Sequence, residues 1–140
     1  MAEVTVKPSV TMVHSLGPVL MLTEENGQRS LIERINPLDF DILTRITANK
    51  RIRLKSSHDT LRNLTVTLGL QMTKVVFQKV QANSRLVKIH FLQKYDEFSI
   101  LAGPSDAVIL ALRMHRPIFV EEVLFKNTEI FTEVALDPTH

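Results

Sequence analysis

The sequence predicts one α+β domain, with mixed or antiparallel strands packed against a largely buried helix near 105–114. Three observations lead there. Strand-like and helix-like segments cluster in the order β, ββ, α, α, βββ, α, β, α, which disfavours the regular alternation of a doubly wound parallel sheet. The segment from Ser105 to Met114 carries Ala107, Val108, Ile109, Leu110, Ala111, Leu112 and Met114, apolar around nearly its whole circumference, the pattern of an enclosed helix. Finally, 140 residues with 44% apolar and 23% charged side chains match one ordinary hydrophobic core spanning 1–140.

The elements follow in order. Met1 to Ser15 alternates apolar and polar residues, as a strand does. Val19 to Glu24 and Arg29 to Ile35 are apolar-rich runs on either side of Glu25-Asn26-Gly27-Gln28, and Asn-Gly between such runs predicts a β-hairpin over 19–35. Asn36-Pro37-Leu38-Asp39 supplies an N-cap residue, a proline at the first helical position and an early acid, so a helix should run to about Ala48. Asp39 falls within the arc of Leu38, Ile42, Leu43 and Ile46, which turns it toward the core.

Ser56-Ser57-His58-Asp59 announces a second helix and Gly69 closes it, with Leu61, Leu64, Thr65 and Leu68 as its inward stripe. The pattern then changes to a period of two. Thr73 to Val80 and Arg85 to Leu92 form a second hairpin over 73–92, joined through Gln81-Ala82-Asn83-Ser84, with Val87, Ile89 and Phe91 on its apolar face. Phe98 to Ala102 is a further strand entering Gly103-Pro104-Ser105-Asp106 and the enclosed helix. On that helix Asp106 and Arg113 form the polar stripe, about 10 Å apart along the axis. Pro117 ends the segment, Ile118 to Val120 is a short strand, and a helix beginning at Glu121 aligns Val123, Asn127, Ile130 and Val134.

Composition removes several classes of function. The absence of cysteine excludes disulfide frameworks, thiol catalysis and cysteine-ligated zinc, so only His, Asp and Glu could hold a metal. No apolar run approaches the ~20 residues of a membrane-spanning helix, and the N-terminus lacks the charged and apolar regions of a signal peptide. These features predict a cytoplasmic chain with no membrane association. A net charge of +2 permits nucleic acid without indicating it. Lys50-Arg51-Ile52-Arg53-Leu54-Lys55 reads as a solvated charged loop, with phosphate contact as the alternative.

No phosphate-cradling glycine loop, HExxH or G-x-S-x-G motif is present. The chemistry-bearing residues instead gather at helix starts: Asp39; Ser57, His58 and Asp59; Ser105 and Asp106. One reading of each cluster is helix capping with an early acid matched to the dipole. A histidine beside a carboxylate can also carry protons or bind a metal. His14, His90, His115 and His140 are expected at the surface. Arg113 in an enclosed helix is expected to pair with an acid.

The run Gly103-Pro104-Ser105-Asp106-Ala107-Val108-Ile109-Leu110-Ala111-Leu112-Arg113, followed by Pro117-Ile118-Phe119-Val120, resembles the bifunctional nuclease domain family. Arg29-Ser30-Leu31-Ile32 through Asp39, and Ser57-His58-Asp59 with Leu68-Gly69, agree in the same order, so the resemblance covers about 18–124. It implies a compact α+β domain, a homodimer, and cleavage of both RNA and DNA. The family block carries an aspartate at the position of Leu101 and an arginine at that of Gly103; Asp39 stands for a glutamate, and Asn36 for a glycine.

Two readings follow from the resemblance. In the first, the chain is a weakened nuclease with His58, Asp59, Ser105, Asp106 and Arg113 as its catalytic set. Asp39, Asp59 and Asp106 would hold a divalent magnesium or manganese ion, His58 would move protons and Arg113 would orient phosphate. In the second, the same dimeric scaffold is a non-catalytic module binding a protein partner or RNA or DNA. The apolar C-terminal stretch from Val123 to Leu136 is the expected dimer surface.

Overall fold

A computed structural model describes residues 2–48, 57–79 and 85–126. The elements are β1 (Glu3–Val13), β2 (Gly17–Glu24), β3 (Ser30–Arg34), α1 (Pro37–Thr47), α2 (Ser57–Thr67), β4 (Gln71–Lys79), β5 (Arg85–Gln93), β6 (Asp96–Ala102), α3 (Pro104–Met114), β7 (Ile118–Glu121) and α4 (Glu122–Lys126). This is the expected order. The strands form a single seven-stranded sheet, β3-β2-β1-β7-β4-β5-β6. Two antiparallel meanders, β1-β2-β3 and β4-β5-β6, are joined by β7, which runs antiparallel to β1 and parallel to β4.

Side-chain alternation sorts the sheet into two faces. One face presents Val6, Leu20, Leu22, Leu31, Val75, Phe77, Val87, Ile89, Phe91, Ile118 and Val120, which form one core with Ala107 to Ala111 of α3. The enclosed helix is therefore the centre of the helical layer, touching α1, α2, β4 and β5. A second, small cluster of Val13, Val19 and Ile32 lies apart from it, flanked by Leu16 and Met21.

Local chemistry sets the boundaries. Asn36 caps α1 by accepting from the Asp39 N–H at 2.8 Å, with Pro37 at the first helical turn. Gly69 closes α2 at φ +71°, where the Leu70 N–H reaches the Thr65 carbonyl and the Gly69 N–H the Val66 carbonyl. The end of α3 repeats this pattern with a non-glycine residue: His115 sits at φ 55°, and the N–H of Arg116 bonds the Ala111 carbonyl.

The structure corrects three expectations. Leu64 and Leu68 are exposed on α2, where the helix packs on α3 and β4, and of the stripe's described side chains Thr65 is the buried one. Leu38 is 69% exposed, so only Ile42 and Leu43 of the α1 arc are buried beside Asp39. His90 is half-buried on the sheet rather than superficial, with its Nε2 atom shielded from solvent. His14 and His115 are exposed as expected. The 50–55 run, the 81–84 connection, His140 and the C-terminal row beyond Lys126 lie outside the described residues. Among the described residues no helix is long and apolar enough to cross a membrane.

Candidate functional site

The N-termini of α1 and α3 meet on the helical side of the sheet. Asp39, in the first turn of α1, is buried, and its Oδ2 accepts a hydrogen bond from the Ser105 hydroxyl of α3 at 2.7 Å. Asn36 positions this aspartate by holding its backbone N–H. Pro104 at the start of α3, preceded by extended backbone at Gly103, directs Ser105 across to α1. Both helix dipoles place their positive ends at this junction, an environment suited to negative charge.

Asp106 follows in the same first turn of α3 and is exposed. Helix geometry turns the residue after Ser105 by about 100°, away from the packed side that Ser105 shares with Asp39. Arg113 is half-buried near the other end of α3. His58 and Asp59 lie in the first turn of α2, which packs on α3; their side chains are outside what is described. Asp39 and Ser105 are thus brought into contact, with Asp106 adjacent in sequence. Among the described residues, no three His, Asp or Glu side chains are grouped so as to hold a metal ion.

The end of β6 and the residue that caps α3 bear the two departures from the charged family block. Leu101 is 65% exposed near the end of β6. Gly103 is exposed at φ −69°, and a Cβ added there would come within 3.7 Å of Asp106 Oδ2. A side chain at 103 would therefore lie directly beside the Asp106 carboxylate.

A model of the bifunctional nuclease domain matches residues 20–133. The chain belongs to the bifunctional nuclease domain family. The match begins inside β2, so β1, which joins β2 to β7 within the sheet, precedes the matched span. The chain is also similar to uncharacterized proteins from two strains of Mycobacterium tuberculosis, each 30% identical over 107 residues. These alignments take in 76% of this chain, which spans 63% of the length of each of those curated relatives.

Two polar clusters went unrecognised in the sequence. Arg29 binds buried Glu24 through Nε and Nη2 at 2.8–3.1 Å, reaches Glu122 of α4 at 2.9 Å, and lies 4.8 Å over the Phe125 ring. Hydrogen bonds from Arg29 hold the Glu24 carboxyl below its ordinary range, and the pairing raises the Arg29 guanidinium in turn. This cluster fastens α4 to the β2–β3 turn. On the other face of the sheet Lys74 bridges to Glu3 at 3.3 Å and stands over Phe119, beside His90. Burial first, then the Lys74 charge, lowers the His90 pKa. Neither cluster had a sequence signal, because each joins residues on different elements or across a turn.

Proposed function

We propose that this family member binds single-stranded nucleic acid at the α1–α3 junction and hydrolyses its phosphodiester bonds weakly. The observation that carries the reading is the Ser105 to Asp39 hydrogen bond at the meeting of two helix N-termini, with exposed Asp106 beside it. Such a junction favours a phosphate through helix dipoles and backbone N–H groups, and its carboxylates supply oxygen ligands of the kind magnesium or manganese takes. Asp39 and Asp106, joined by Asp59 from α2, would hold that cation, which when bound supplies charge neutralisation and an activated water. His58 would carry protons, and Arg113 would steady phosphate.

Weakness follows from the β6–α3 connection. Leu101 supplies neither a ligand nor a proton, and Gly103 supplies no cation beside Asp106. Each removes a source of transition-state stabilisation, and one electrostatic donor alone is commonly worth about 100-fold or more in rate. The protein is further proposed to act as a cytoplasmic homodimer. A second reading, a non-catalytic binding module on the same scaffold, is favoured by the exposed apolar Leu101 at the rim. Cleavage of single-stranded RNA and DNA with magnesium or manganese distinguishes the two. Slow cleavage abolished by Asp106→Asn supports the nuclease reading, and binding without metal-dependent cleavage supports the module.

A further inference from the structure

The two edges of the sheet are unequal. The β3 edge is short, ends in Glu33-Arg34 and is packed by α4. Strand β6, at the opposite edge, is exposed from Asp96 to Leu101 and contains no lysine, proline or bulge. Exposed apolar edges of that kind are usually blunted in a protein that stays monomeric. Phe98 and Ile100 lie opposite Phe91 and Ile89 of β5, so the core face of the sheet continues outward to them. Beyond β6, at the tip of the β5–β6 turn, Tyr95 is 98% exposed.

We propose that β6 pairs antiparallel with β6 of a second copy about a two-fold axis near Ser99, and that Tyr95 of each copy completes the other's α1–α3 site. The strand is complementary to itself in this alignment. Phe98 meets the second copy's Ile100, and Glu97 meets the second copy's Leu101, which has Lys88 as its cross-strand neighbour on β5. The acids of the two copies then sit at opposite ends of the interface, with Lys88 one strand beyond the Leu101 that Glu97 meets. A parallel alignment would instead stack each acid on its own copy, where like charges oppose pairing.

Register carries the consequence to the site. With Ser99 opposite itself, Asp96 falls opposite the second copy's Ala102 and Tyr95 opposite its Gly103, one residue before the helix that bears Ser105 and Asp106. An aromatic ring there is a stacking platform for an unpaired base. The role given to Tyr95 rests on the nucleic-acid reading; the strand pairing does not.

Because the chain has no cysteine, single cysteine substitutions report the geometry without a background. Ser99→Cys chains should form a disulfide-linked dimer under mild oxidation, while Thr44→Cys on α1 should not. Tyr95→Cys chains mixed with Pro104→Cys chains should join through a short bismaleimide. Ile100→Lys should weaken the dimer about tenfold or more in sedimentation equilibrium, with far-ultraviolet circular dichroism unchanged. A wild type that remains monomeric at high micromolar concentration overturns the proposal. So does a dimer that Ile100→Lys leaves intact and Ser99→Cys fails to link. None of these readouts uses cleavage, so they stand or fall separately from the nuclease reading.

Discussion

The Ser105 hydroxyl donates to Asp39 Oδ2 at 2.7 Å, tying the start of the central helix to the start of α1 across 66 residues of sequence. Asp39 is buried, so this bond satisfies an acceptor that has left water. Ser105→Ala is expected to destabilise the fold by about 1–3 kcal/mol, the range for leaving a buried acceptor without its donor. Urea unfolding of the two proteins measures it. Equal midpoints would show that the hydroxyl contributes nothing to the junction.

The Glu24–Arg29 pair predicts an acid-dependent step in stability. The folded-state pKa of Glu24 lies below its ordinary 4.5, so the pair's contribution is fully present above that value and is lost as pH falls through the folded pKa. Arg29→Ala should remove this step and cost about 1–3 kcal/mol near neutrality, the partly exposed arginine limiting the loss. Thermal melts between neutral pH and strongly acidic pH test both statements.

His90 acts in a higher window. Its folded pKa is depressed below 6.5, chiefly by burial and then by Lys74, with Lys88 adding to the shift and Glu3 and Glu97 opposing it. The unfolded chain therefore binds a proton before the folded chain does. Stability should fall as pH drops from 6.5 toward the folded value. His90→Gln should flatten the stability curve across this interval and leave the Glu24 step below it in place.

His58 stands in the first turn of α2, and its role separates activity from stability. His58→Ala should reduce cleavage about tenfold or more while leaving the melting temperature within a few degrees of wild type. A large drop in melting temperature with unchanged cleavage would assign the residue to helix capping instead.

Much of the fold was legible because its signals are local. Asn26-Gly27 marks the first hairpin, Asn36-Pro37 the start of α1, Gly69 the end of α2, and the apolar circumference of 105–114 the central helix. Sheet order was not legible. The entry of β7 between β1 and β4 depends on which apolar faces meet in space, and no short-range residue pattern encodes it. The α2 stripe misled for a related reason: Leu64 and Leu68 have core spacing, yet burial is decided by where α3 lies. At the site, Asp39, Ser105 and Asp106 were each legible as first-turn polar residues. The contact between Asp39 and Ser105 was not, since it rests on the packing of two helices distant in sequence. The Arg29 cluster was invisible because its acids come from β2 and from α4.

In the proposed nuclease, the α1–α3 junction retains phosphodiester chemistry that Leu101 and Gly103 weaken. The most direct measurement is the rate of single-stranded RNA and DNA cleavage, with magnesium or manganese, by wild type and by the double substitution Leu101→Asp with Gly103→Arg. Both positions are exposed, and backbone at Gly103 with φ −69° accepts a side chain beside Asp106. The double variant should fold normally and cleave about 100-fold faster or more, with Asp106→Asn abolishing the gain. A correctly folded double variant no faster than wild type, or a fast wild-type enzyme indifferent to Asp106→Asn, would contradict the account.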